Sequence, residues 1–195
     1  MRNSTKLVLS LAGLGALLYF GRLGCFYAGK YYDTIRRPWA YAGDPGKSLL
    51  VGHWQGACTD PDQVAHQVKM EIFVPTTDEE RWRRFSQKRI KRDRSSPTFF
   101  DGLAVLETGG RRDSCKLWGG LDKADGHGIH FQFSPLSGVH PPGFNLNLLK
   151  GTWQGDSLHL SVTFSFFRAD GSSFYDSADP RHSTEGVLKM VRRAR

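Results

Sequence analysis

The sequence has few of the marks that announce chemistry. Its three cysteines, Cys25, Cys58 and Cys115, form no CxxC pair and no Cys/His zinc spacing. It has no glycine-rich phosphate loop and no nucleophile elbow. His127 and His130 stand three apart, a spacing that points them to opposite faces of a strand and makes a poor metal pair. The run Asp122-Lys123-Ala124-Asp125-Gly126 has alanine where a calcium loop needs its second ligand, so it reads as a turn. The acid pairs Asp60/Asp62 and Asp176/Asp179 also lie in turn-like sequence. No catalytic residue, metal ligand or cofactor site can be named, and the expectation is a protein that binds rather than catalyses.

Net charge is scarce too, except in one place. The formal net charge is +8, but residues 81–94, RWRRFSQKRIKRDR, hold eight Lys or Arg against Asp93 and account for +7 of it. The rest of the chain is close to neutral. A nucleic-acid partner would need a stacking platform or a recognisable binding fold beside that charge, and neither is present, so nucleic acid is not an expected partner.

One long apolar run is present. Residues 7–21, LVLSLAGLGALLYFG, carry no charge, and after Arg22 the apolar stretch continues to Gly29. That is enough for a helix to cross a bilayer, with Arg22 near one end and Tyr19, Tyr27, Tyr31 and Tyr32 as interfacial anchors. A cleaved signal peptide is the rival reading. It wants small residues at −3 and −1, yet a cut after Gly24 puts Arg22 at −3 and a cut after Ala28 puts Phe26 there. The expectation is a retained single-pass anchor over 1–29 and a membrane-proximal linker over 30–48, rich in proline and glycine. A bacterial or mitochondrial inner membrane would suit such an anchor. Lys and Arg counted alone favour a following domain that faces the cytoplasm or matrix, whereas the short basic N-tail argues the opposite; the expectation is a domain outside the cytoplasm or matrix.

From residue 49 to 195 the period is two. QVKMEIFV at 67–74, IHFQF at 129–133, FNLNL at 144–148 and LHLSVTFSF at 158–166 all alternate, as half-buried antiparallel strands do. Turn compositions separate them, and the spacing predicts eight strands: 49–58, 66–74, 99–108, 113–121, 127–134, 144–153, 156–167 and 184–192. The fold expected is a mainly β, antiparallel barrel of about eight strands. The exception is 78–92, DEERWRRFSQKRIKR. There Thr77 and Glu80 have capping-box spacing and acids precede bases, which predicts a basic surface helix inserted between the second and third strands. Its Arg81, Trp82, Arg83, Arg84, Lys88, Arg89, Lys91 and Arg92 are candidates for contact with anionic lipid or an acidic partner. Trp82 and Phe85 share a face that would tack the helix to the barrel or to a partner.

The pentapeptide Gly-x-Trp-Gln-Gly occurs twice, at 52–56 and 151–155. The residues that follow the two copies do not match, so an ancestral duplication is not indicated. A tryptophan with a glycine two residues away on each side reads as a device for bending a strand at a barrel corner and covering the gap. Gly52-His53-Trp54 at the start of the first strand also resembles the signature of lipocalins and related calycin barrels. In that family the tryptophan closes one end of the barrel and an arginine late in the last strand packs over it. The resemblance implies that role for Trp54, with Gly52 and Trp153 beside it and Arg192 or Arg193 as the arginine. Cys58 and Cys115 would form a disulfide if their strands were neighbours in an oxidising compartment; otherwise they are small buried hydrophobes.

Two functions follow. One is an accessory or structural subunit of an inner-membrane complex, with membrane lipids and other subunits as partners. The alternative is a lipocalin-like module holding a small apolar ligand or lipid, although inward Phe131, Phe133, Phe144, Phe164 and Phe166 would tend to fill the barrel.

Overall fold

A computed structural model of the chain describes residues 2–42, 48–86, 96–122, 126–174 and 185–193, with side chains omitted at 2–10, 84–86 and 174. The chain forms two compact units, one of residues 44–75 and 95–195 and one of residues 1–43 and 76–94.

The first of these is the barrel. Among the described residues its strands are β1 Gly52–Thr59, β2 Ala65–Ile72, β3 Phe99–Thr108, β4 Arg111–Leu121, β5 Gly128–Pro135, β6 Gly143–Gln154, β7 Ser157–Phe167, β8 Ser173–Phe174 and β9 Glu185–Arg192. Sequential neighbours pair antiparallel from β1 to β7. β9 lies between β7 and β1 and closes the sheet, while the two-residue β8 only extends β7. Eight strands thus make an up-and-down barrel. The expected strand boundaries shift by a few residues; Val74 lies beyond β2 and is exposed, because the ladder with β3 ends at Ile72.

An eight-stranded barrel is just wide enough to be filled by side chains or to hold one small ligand. Here Trp54, Phe100, Phe131, Leu149, Leu188 and Met190 occupy the interior, each 1% exposed or less. Burial of each such side chain stabilises the fold by roughly 1.5–3 kcal/mol. Strand alternation brings Trp54 at the start of β1 and Trp153 near the end of β6 to the same end of the barrel. Phe144 and Phe166, expected inside, are only half-buried, since they lie at the opposite end.

The twin pentapeptides divide their labour in opposite order. In the first, Gly56 is the close approach: a Cβ there would meet the Lys189 carbonyl oxygen and, at 2.8 Å, Met190 Cγ. In the second it is Gly151, whose Cβ would meet the His159 carbonyl oxygen. The outer glycines, Gly52 and Gly155, instead take positive φ, 122° and 58°. The bend at each strand therefore belongs to one glycine of the pair, and backbone from the neighbouring strand fills the space a side chain would need.

The second unit is a pair of helices, α1 Arg2–Arg36 and α2 Asp78–Ser86. α1 runs past residue 29, so the first part of the expected linker is helical. Thr77 caps α2, its Oγ1 accepting a hydrogen bond from the Glu80 amide at 3.2 Å, with Asp78, Glu79 and Glu80 in the first turn. The expected continuation of α2 to residue 92 lies outside the described residues.

Gly151→Ala should lower the unfolding free energy by about 3 kcal/mol, because the obstructing atoms are backbone. Thr152→Ala, at the exposed neighbouring position, should change it by about 0.5 kcal/mol at most. Urea titration followed by tryptophan fluorescence separates the two.

Candidate functional site

Three places in the chain concentrate polar chemistry within apolar surroundings. The first is the tryptophan end of the barrel. The Arg192 guanidinium stands 4.6 Å from the centre of the Trp54 ring. Its Nη1 donates to the Val51 carbonyl oxygen at 2.7 Å, and its Nε donates to Asp156 Oδ1 at 2.7 Å. Trp54 Nε1 donates to the Leu50 carbonyl oxygen at 2.8 Å, and Trp153 Nε1 to that of Gly155 at 2.8 Å. Gly52 belongs to this joint, since a Cβ there would come 2.9 Å from Arg192 Nη1. Arg193 pairs through its backbone with His53, so Arg192 is the arginine over the tryptophan.

The second place lies at the far end and was not legible from motifs. His66, 2% exposed, is bonded on both ring nitrogens: Nε2 to Asp60 Oδ2 at 2.9 Å and Nδ1 to Thr108 Oγ1 at 2.8 Å. Asp60 also accepts from the Val64 amide, which folds the β1–β2 loop back on itself. The arrangement ties that loop, β2 and the end of β3 together. Every polar atom of the imidazole is satisfied, which is what a structural histidine requires.

The third is a cleft in the barrel wall. β5 and β6 pair from Gly128↔Thr152 to Gln132↔Leu148 and then part, because the register of β6 shifts between Leu146 and Leu148. The extra residue, Asn147, is a bulge. The gap is a cavity of about 170 Å³ whose lining includes Trp118, His140, Asn145, Asn147, Ser165 and Phe167. The alternation of FNLNL continues into a Leu148-Leu149 doublet; that break in period is the one sequence signal of the bulge.

The other expected site residues fall elsewhere. Arg81 is no surface contact: it is 5% exposed, pairs with Asp33 at 2.9 Å, and sets its guanidinium 5.8 Å from the Phe26 ring. Its helical position faces α1, and an ion pair compensates its burial. Trp82 stacks on Phe26 with centres 4.8 Å apart and planes at 14°, so the helix it tacks down to is α1. Arg83 is exposed. The side chain of Arg84, and Lys88, Arg89, Lys91 and Arg92, lie outside the described residues. Cys58 and Cys115 are free thiols, because β2 and β3 separate β1 from β4. Burial, and then the charge of Asp60, pushes the Cys58 thiol up to about 11; burial and Asp113 do the same for Cys115. Among the described residues no group of three or more His, Cys, Asp or Glu could hold a metal ion.

No family model matches the sequence, and no curated protein matches it. Of the expected lipocalin-like barrel, the eight-stranded antiparallel closure is what the structure shows. Among solved structures, a de novo designed fluorescence-activating β-barrel is similar at 13% identity, over 73% of this chain and 93% of that one, with a TM-score of 0.41. The structure of EF1p2_mFAP2b bound to DFHBI is similar at 16% identity, over 74% and 94%, with a TM-score of 0.43.

The buried groups carry two expected outcomes. Asp60→Ala should cost about 3 kcal/mol, since it strips a buried imidazole of its partner, whereas Thr108→Val should cost about 1 kcal/mol; denaturant titration of both variants checks the order. The thiols give an alkaline limb. The folded state binds their protons more tightly than the unfolded chain, so their stabilising contribution is complete below the unfolded thiol pKa of about 8.5 and is lost as pH rises towards about 11. Stability measured from pH 8 to 11 should fall, and the Cys58→Ala/Cys115→Ala double variant should flatten the slope.

Proposed function

We propose that this chain is a membrane-tethered barrel protein that works by binding rather than catalysis, held at an anionic bilayer surface by its helical pair. The observation that carries the reading is where α2 docks on α1. From Leu11 to Phe20 the large apolar side chains of α1 are exposed on every side, at 56–70%. The most apolar 18 residues within Leu11–Arg36 reach a mean hydropathy of 1.3, and the helix is long and apolar enough to cross a membrane. α2 is fastened beyond that bare stretch, by the Phe26–Trp82 stack, the Arg81–Asp33 pair and a Lys30–Asp78 pair at 3.1 Å. Tyr27, Tyr31 and Tyr32 are exposed in the same region. Aromatic side chains at the boundary and a net +7 following them in sequence are what a headgroup layer attracts, at about 1 kcal/mol for each Lys or Arg near the surface. A bacterial or mitochondrial inner membrane is the setting this reading favours.

Full-length protein reconstituted in vesicles with lipids brominated at graded depths tests it. Trp82 fluorescence, isolated by difference against Trp82→Phe, should be quenched most by the shallowest bromines, and more so when the vesicles carry phosphatidylglycerol. Release of the chain from vesicles by alkaline carbonate, or no quenching of Trp82 at any depth, would sink the proposal. The accessory-subunit role is told apart by native mass in mild detergent: co-purifying chains support it, and a single chain in its micelle removes it.

A further inference from the structure

We infer that the cleft between β5 and β6 is a binding site for a small, neutral, single-ring molecule that offers a hydrogen-bond acceptor to the Ser165 hydroxyl. This deepens the binding role proposed above and rests on it, but it needs no membrane.

Ser165 is the reason. It is 1% exposed, its Oγ has no hydrogen-bond partner among the described residues, and it lines the cavity. A buried hydroxyl without a partner destabilises a fold, and alanine at the same place would carry no such penalty. An unpaired donor in the wall of an open cavity is the arrangement of a site that is completed from outside, and proteins tolerate such a cost where function requires it.

The rest of the cleft limits what can complete it. A cavity of about 150 Å³ takes a benzene-sized guest, and this one is about 170 Å³. Its walls carry rings: Trp118 lines it, and His140 lies flat on Phe167, centres 4.3 Å apart and planes at 12°. Burial holds the His140 imidazole below its ordinary pKa, which keeps it neutral at pH 7. Among the described residues no Asp, Glu, Lys or Arg lines the cavity, so a charged guest would lose its hydration without gaining a counter-ion. Asn145 spends its amide hydrogens on the Pro141 and Gly143 carbonyls, at 2.8 and 3.0 Å. That fixes the β5–β6 loop as a wall before any ligand arrives and leaves the Asn145 carbonyl as an acceptor. A lipid tail fits poorly, because Gln132, Ser134, Asn145 and Asn147 would each lose water against it and the Ser165 hydroxyl would stay without a partner.

The test uses full-length protein in detergent micelles, with benzamide as probe and benzoate as its charged counterpart. The Trp118 indole N–H and the Ser165 and His140 amides are followed by two-dimensional NMR. Benzamide should shift them saturably. Ser165→Ala should weaken that binding by about fivefold while its urea midpoint stays equal or rises. Benzoate should bind about tenfold more weakly or worse. Ser165→Leu, which fills the cavity, should abolish the shifts. The inference is overturned if benzamide produces no saturable shift at these positions, if Ser165→Ala binds as well as the parent chain, or if Ser165→Ala lowers the midpoint, since the hydroxyl would then have a structural partner. Because membrane retention is not part of the readout, failure here leaves the anchoring proposal standing, and the reverse holds too.

Discussion

The last strand of this barrel has to find the first, and Arg192 is where it does. One guanidinium lies over the Trp54 ring, bonds the Val51 carbonyl ahead of β1 and bonds Asp156 in the β6–β7 turn. Three segments far apart in sequence therefore meet on one side chain. The backbone reinforces it, with the Arg192 amide on Asp156 and the Arg193 amide on His53. Without the ladder that begins at this joint, from Trp54↔Arg192 to Ala57↔Lys189, β1 and β9 would each leave an edge with a row of unpaired amides. With it the sheet closes, and closure forces the strong coiling that Gly56 and Gly151 permit. The two halves of the repeated pentapeptide thus serve one requirement: the tryptophan covers the end, and one glycine in each copy lets the wall bend inward behind it.

Closure also decides where function can reside. The inward faces are crowded with Trp54, Phe100, Phe131 and Met190, so the axis of the barrel is taken by its own side chains. A lipocalin-like expectation places a ligand there; the packing moves the opportunity to the wall. The Asn147 bulge matters for this reason, since a single extra residue in β6 stops it pairing with the end of β5 and opens the sheet at one point while leaving the ladder with β7 intact on either side. A filled core gives such a cleft fixed walls, which an empty barrel would not.

Much of this was readable from the chain. Alternation located the strands because each has one face in the core, and Thr77 with Glu80 located the start of α2 because capping is a local interaction. What escaped depends on pairs distant in sequence. Arg81 belongs by composition to a solvated basic face, yet Asp33, which buries it, is 48 residues away. Whether Cys58 and Cys115 could bond turned on strand order, and β2 and β3 intervene. His66 gave no signal, since its partners Asp60 and Thr108 are ordinary turn and strand residues until the barrel closes around them. Ser165 was the hardest to see. On an alternating strand it is one more outward polar residue, and only the fold reveals that the outward side is covered at that point.

His66 and Ser165 make an instructive pair, because burial alone would class them together. Both are polar and nearly inaccessible, at 2% and 1% exposure. The imidazole has a partner on each nitrogen, and one of those partners is itself bound to a backbone amide, so the group is part of the fold and removing any member leaves the others stranded. The serine hydroxyl has no partner among the described residues, and removing it strands nothing. A network that is complete within the protein answers to stability; a group that is complete only with something added answers to the thing added. That asymmetry, rather than the size of the cavity, is the ground on which we infer a binding site in the wall of the barrel.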